Sequence, residues 1–450
     1  MSVATTQRPS DPTSPAARPL RERAREYRDL ARTTRVGRLA RAGALVVALI
    51  LLTGVLGLVA TLRTQDAADD VVTRSGPVGA SAQELYRALS DADATAAQGF
   101  LSGSAEPAAL RLRYQTDVTT AGVALADAAR ASGSGAPGAA LQTLTTGLPV
   151  YTGLVETARV TDAQGLTVGG AYLREASTFL QGTLLPAARA VYEEQSAVLD
   201  AEQDTADGDL WGAAALVGAL ATLVAVAALH RRVARNAKRR VTPGLVVAGG
   251  AVALVTLWGA LALGTASALV TSAREHGVAP NRAVVAARFA VLQSRSDEII
   301  TLVSRGSSTQ YEAAYTQRGI AVYGWAGMMD AAQAAAGDDA GVAADVDEAR
   351  RAGRLGLDVH SRVRSLDVSG NFDSAVALAL SPAPDGGAGA AGRVETALDR
   401  AVDTTASVAA RDDAAAATVT TLLGVGVVLL TLVAAAGVVA GLGPRLQEYR

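Results

Sequence analysis

Apolar positions along the chain follow two patterns. The first is unbroken: residues 42–62, 210–230, 241–273 and 414–444 contain no Asp, Glu, Lys or Arg. About 20 residues of helix cross the hydrocarbon core of a bilayer, so each stretch is long enough to span one. The spacing predicts four transmembrane helices, over 42–62, 210–230, 241–270 and 418–442. The second pattern is periodic. Leu85, Leu89, Ala92, Ala96 and Phe100 recur at helical steps, as do Leu141, Leu144, Leu148, Tyr151 and Val155. Such stripes are the buried seams of helical bundles.

Turn residues divide the periodic segments. Breaks at SGSAEP (102–107), ASGSGAPG (131–138) and DAQGLTVGG (162–170) leave four helices in 63–209. In 271–417 they fall at RGSS (305–308), GDDAG (337–341) and SGNFD (369–373), with a further interruption at 381–392. The halves also align at a near-constant offset: Leu89 with Leu292, Gly103 with Gly306, Ser104 with Ser307, Ala171 with Ala375 and Ser177 with Ser381. The expected fold is an all-α membrane protein of four transmembrane helices and two tandem extracytoplasmic four-helix bundles related by internal duplication. In an up-down-up-down bundle the first and third turns lie at the far end, which makes the glycine-rich gap at 162–170 a distal corner.

Charge orients this layout. Residues 1–41 carry 10 arginines against 4 acids, and the loop 231–240 carries 6 basic residues and no acid. Both are expected in the cytoplasm by the positive-inside rule. Segments 63–209 and 271–417 hold 19 acids each against 9 and 14 arginines, and are expected outside. The tail 443–450 returns inside, placing both termini in the cytoplasm of a multi-pass plasma-membrane protein, with the first span read as an uncleaved signal anchor. The absence of cysteine excludes disulfides and thiolate metal sites. Lys238 is the only lysine, a bias we read as genomic composition.

Candidate chemistry is sparse. Two segments fit G-x-G-x-x-G, at 133–138 and 387–392, but neither follows a strand, so both read as interhelical loop. The three histidines have no metal-ligand spacing, no kinase motif is present, and neither an enzyme nor a cofactor is expected. Asp162, Gln164 and Arg174 in the first bundle, and Asn371 and Asp373 in the second, are candidate contacts of a ligand or partner at the distal tips. Arg231, Arg232, Arg235, Lys238, Arg239 and Arg240 are candidate cytoplasmic contacts, for anionic lipid or for an acidic partner. The basic N-terminal arm lacks interleaved aromatics and is not expected to bind nucleic acid. Pro186, with Pro382 and Pro384 in the other half, are candidate hinges. Ala214 with Gly218, and Gly437 with Gly441, have the small-xxx-small spacing of packed membrane helices, which also leaves a homo-oligomer open. With no ionisable residue inside a span, a permeation pathway is disfavoured.

Span, external four-helix bundle, span is the layout of chemotaxis-receptor-like sensor ectodomains. The stretches YTGLVETARVTDAQGLTVGGAYLREAS (151–177) and SGNFDSAVALALSP (369–382), with the duplicated four-span order, resemble the GlnX-type membrane proteins of actinobacteria. The resemblance implies a relay from an extracytoplasmic solute-binding lipoprotein of the GlnH type, which captures amino acids, to cytoplasmic protein kinase G. It assigns no ligand-binding residue. The alternative is a structural or accessory subunit of a transport or cell-envelope complex.

Overall fold

The computed structural model describes residues 35–70, 76–102, 106–132, 138–207, 210–236, 243–304 and 309–447. Among these residues every regular element is helical: α1 Arg35–Asp70, α2 Gly76–Leu101, α3 Ala108–Ala131, α4 Ala139–Ala163, α5 Gly169–Phe179, α6 Leu185–Asp207, α7 Leu210–Asn236, α8 Pro243–Ser272, α9 Ala279–Val303, α10 Thr309–Tyr323, α11 Met328–Ala336, α12 Ala340–Val368, α13 Phe372–Ala379 and α14 Gly387–Gln447. Four segments are long and apolar enough to cross a membrane: Gly37–Arg63, Gly212–Arg235, the N-terminal part of Pro243–Val303, and Thr421–Gly443. The chain forms two compact units, one of residues 1–60, 210–261 and 423–450, the other of 61–209 and 262–422.

In the first unit the apolar helices pack through small residues. On α7 the buried seam runs through Ala219, Thr222, Val226, Leu229 and Val233, at steps of three and four. Gly218 lies beside this seam, where a Cβ would stand 3.3 Å from Thr53 Oγ1 of α1. Ala214 lies off the seam and is exposed, so the expected Ala214/Gly218 pair does not form one contact face. The Thr53 and Thr222 hydroxyls meet at 2.9 Å. On α14, Gly437 and Gly441 lie against Gly244 and Ala248 of α8: a Cβ on Gly437 would stand 2.8 Å from Gly244 O. Leu45, Val217, Leu257 and Leu429 are exposed apolar side chains, a surface suited to lipid.

The second unit contains both acidic segments. Leu85, Leu89, Ala92 and Ala96 of α2, and Leu141, Leu144, Tyr151 and Val155 of α4, are buried as their spacing predicts. One apolar cluster joins them to Val284, Phe289, Leu292 and Ile300 of α9 and to Val394 and Leu398 of α14. The two segments therefore share a single core. Tyr86 stacks on Phe289 with ring centroids 4.0 Å apart, and its hydroxyl donates to Phe289 O at 3.4 Å. Thr178 and Tyr311 share a hydrogen bond of 2.8 Å, and Arg282 donates to Ser196 O at 2.9 Å.

The expected interruptions differ in kind. Pro186 stands in the first turn of α6, directly after a π-helical turn, Leu180–Leu184, and the helical path continues through it. The wider turn accommodates a residue that has no amide hydrogen and would crowd the preceding carbonyl. Pro382 and Pro384 lie in a true break between α13 and α14. The glycine motif at 387–392 opens α14 instead of forming a loop; a Cβ on Gly387 would stand 2.5 Å from Ala379 O. A turn at 324–327, unforeseen in the sequence, separates α10 from α11, with Ala326 at φ 55° and Trp325 fully exposed.

Replacing Gly437 by Leu is expected to destabilise the first unit by about 1–3 kcal/mol through overpacking against Gly244. Thermal unfolding of the full-length protein in detergent micelles checks this, with Gly443→Leu, where a Cβ meets nothing within 4 Å, as the control.

Candidate ligand cleft and buried polar seam

The first and third turns of the segment 63–209 come together, as the up-down-up-down reading requires. Between them lies a cleft of about 340 Å³. Its floor is apolar, made by Phe100 at the end of α2, Val155 on α4 and Leu173 on α5. Its charged groups are Glu106, two residues before α3, Arg111 near the start of α3, and Arg159 and Asp162 in the last turns of α4.

Local sequence explains how these side chains are held. Gly99 leaves room for Glu106, because a Cβ there would stand 2.6 Å from Glu106 Oε1. Arg111 Nε donates to Glu106 Oε2 at 3.1 Å. Arg159 is 10% exposed; its guanidinium lies over the Tyr114 ring at 4.1 Å, and its Nη1 donates to Glu156 Oε1 at 2.7 Å. Arg159 Nη2 faces Glu106 Oε1 at 3.1 Å without hydrogen-bond geometry. Arg159 Nε, Arg159 Nη2 and Glu106 Oε1 are thus buried polar atoms lacking a hydrogen-bond partner. Burial pushes the Asp162 carboxyl up from its ordinary value.

The glycine-rich corner has two structural tasks. Gly165, at φ 72°, makes the turn that an L side chain resists. Gly169 lets the start of α5 approach the end of α4, where a Cβ would stand 3.0 Å from Ala158 O. Of the tip residues singled out from the sequence, Asp162 lines the cleft, Arg174 is half-buried nearby on α5, and Gln164 is exposed. Asn371 and Asp373 are exposed at the corner between α12 and α13 and do not join this cleft. Arg231, Arg232 and Arg235 are exposed on the last turns of α7, while Lys238, Arg239 and Arg240 lie outside the described residues. Periodicity missed Glu106, Arg111 and Arg159. The available signal was slight: Ala158 continues the seam through Tyr151 and Val155, and Arg159 is the charge directly beside it.

A second polar group lies where α2 meets α9. Asp93 is fully buried and Ser177 Oγ donates to its Oδ1 at 2.6 Å. Burial raises the carboxyl to about 6, against the opposing effect of the nearby Ser177, Ser296 and Tyr151 hydroxyls. Asp91 pairs with Arg87 at 2.7 Å and with Arg295 of α9 at 3.5 Å, and Arg295 pairs with Glu395 of α14 at 2.8 Å. Asp297, also fully buried, pairs with Arg318 of α10. Farther along, His360 of α12 contacts Glu298 at 3.1 Å and Glu312 at 3.2 Å and stacks on Tyr315. Burial lowers the His360 pKa, but the two carboxylates outweigh it and leave the imidazole above its ordinary value of 6.5.

Residues 67–204 match the family model of the actinobacterial sensor domain. The match falls inside the segment that separates the first two spans and contains the cleft and the α2 side of the polar seam. It fits a sensing or signalling role for an actinobacterial membrane protein and, with the all-helical fold, a non-catalytic one. No curated protein and no solved structure shows significant similarity to the chain.

Two pH effects are expected. Asp93 has a folded value raised from 3.8 to about 6, so its favourable contribution is complete below 3.8 and lost as pH rises through 6. Asp93→Asn is therefore expected to raise the melting temperature at about pH 7, by up to ~3 kcal/mol of stability, and to have little benefit at about pH 4. His360 also has a raised folded value: its contribution is complete below 6.5 and is lost as pH rises through the higher folded value. Protection factors of the α12 amides, that is, exchange corrected for the intrinsic rate at each pH, should be higher at about pH 6 than at about pH 9, and His360→Gln should remove that difference.

Proposed function

We propose that this protein is a non-enzymatic transmembrane signal transducer, with both acidic segments outside the cell and the termini inside. Its external unit meets a ligand, or an amino-acid-loaded solute-binding lipoprotein of the GlnH type, and reports the event to a cytoplasmic partner such as the Ser/Thr kinase protein kinase G. The observation that carries this reading is the sensor-domain match, which lies wholly within the segment between the first two spans.

Helix continuity supplies a route. The helical path from Pro243 to Val303, and α14 from Gly387 to Gln447, each belong in part to the apolar unit and in part to the acidic one. A helix that passes unbroken through a bilayer can carry a small translation or rotation of its outer portion. Ligand binding acts by favouring one of two packings, and the shift is limited by the difference in affinity for the two. Arg231, Arg232 and Arg235 are the surface offered to an acidic partner or to anionic lipid on the inner face.

The two halves are best read as duplicates. Tyr86 and Phe289, which stack on each other, are 203 residues apart, the same offset that aligns Leu89 with Leu292. Like positions meeting like positions is the relation expected at a two-fold contact between repeated units.

Cysteines placed in pairs on the first and fourth spans, at Gly54 and Thr431 where the two helices approach closely, report the packing. Crosslinking yield is expected to change when the loaded lipoprotein or the external ligand is added to the full-length protein in lipid. An unchanged yield across the panel of spans would count against the relay.

A further inference from the structure

We infer that the cleft between Glu106 and Arg159 is a direct binding site for a small zwitterion, of the chemical class of a free α-amino acid. The inference rests on the reading of residues 63–209 as an outward sensing unit and adds to it the ligand class and the residues that recognise it.

The cleft has unspent hydrogen-bonding capacity of both kinds. Arg159 Nε and Nη2 are donors, and Glu106 Oε1 is an acceptor; all three are buried and without a hydrogen-bond partner. Buried polar atoms are almost always paired in folded proteins, because an unmade bond leaves the group's lost hydration uncompensated. The guanidinium and carboxylate approach to 3.1 Å but lack the geometry to satisfy each other. A ligand carboxylate can take the free edge of the Arg159 fork, and a ligand ammonium can donate to Glu106 Oε1.

Charge balance selects the class. Two carboxylates, Glu106 and Asp162, and two guanidiniums, Arg111 and Arg159, line the cleft. A simple anion or a simple cation leaves one sign uncompensated, whereas a zwitterion matches both. Size narrows it further. Ligand pockets run from roughly 300 to 1,000 Å³, so a cleft of about 340 Å³ suits an amino-acid-sized molecule and is too small for a dinucleotide. Phe100, Val155 and Leu173 give the side chain of such a molecule an apolar floor.

The pairing is also pre-organised. Arg159 is fixed by Tyr114 beneath it and Glu156 beside it, and Glu106 by Arg111 and the space at Gly99. Side chains already held in position lose little rotamer freedom on binding, which favours recognition of a small ligand.

The test is isothermal titration of the full-length protein in lipid nanodiscs with each of the free L-amino acids, with succinate as an anion-only probe and putrescine as a cation-only probe. At least one amino acid is expected to bind saturably, with succinate and putrescine silent. Arg159→Gln and Glu106→Gln should each weaken binding by about 10-fold or more. Because either change could disturb folding, Ala163→Trp supplies an independent variant: Ala163 is exposed on the rim, so an indole there fills the cleft without touching the core. It should abolish binding while helical circular dichroism is unchanged. The inference is overturned if no amino acid binds, if succinate or putrescine binds as tightly, or if binding survives Ala163→Trp. Its failure is distinguishable from failure of the relay. Silent titrations with span crosslinks that still respond to a loaded lipoprotein would remove the site and leave the relay; saturable binding with unresponsive crosslinks would do the reverse.

Discussion

The acidic unit depends on the crossing of α2 and α9. There Tyr86 stacks on Phe289, Asp91 reaches Arg295, and apolar residues of both helices enter one cluster. Without that contact each acidic segment would have to bury its Ala-rich seams alone, with few large side chains to do it. Aromatic residues make up only 4% of the chain, so the core is built largely from Ala, Val and Leu, and helices must approach closely for such small side chains to touch. Sharing one core between the halves is how a chain of this composition buries enough apolar surface.

The same crossing carries charge that a hydrophobic core would ordinarily exclude. Asp93 and Asp297 are completely buried, and Arg295 is tied to both Asp91 and Glu395. Burying such groups is costly, and the return is seldom added stability, because well-packed apolar residues serve as well or better. Their physical consequence is sensitivity: the energy of the α2/α9 contact depends on the protonation and hydrogen bonding of a few groups.

The bundle seams were legible in the sequence because periodicity reports which face of a helix is buried. Leu85, Leu89, Tyr151 and Val155 stand where their spacing puts them, and the four uncharged stretches became the four membrane-length helices. Periodicity is silent about a carboxylate on the buried face: Asp93 interrupts an apolar pattern as a surface acid would, and only its partners Ser177 and Ser296, distant in the chain, make it a core residue. The cleft escaped for a related reason. Glu106 sits in a break and Arg159 near the end of a helix, each with an ordinary local explanation, and their relation exists only once the two corners meet. Ala214 shows the limit of a motif read without a face: the small-residue spacing was present, but the seam of α7 runs through Ala219 and Thr222 instead.

Helix α2 joins the two polar features. Gly99 and Phe100 at its end border the cleft, and Asp91 and Asp93 in its middle face α9. At a rise of 1.5 Å per residue these points are about 10 Å apart on one rod. A ligand held at Glu106, just before α3, and at Arg159, on α4, would border the end of the same α2 whose middle carries Asp91 and Asp93. Moving α2 would disturb the charge pairs held at that seam. Helix α9, which meets α2 at the seam, continues the helical path that begins at Pro243 in the apolar unit. One helix, α2, thus both borders the cleft and carries the charged seam.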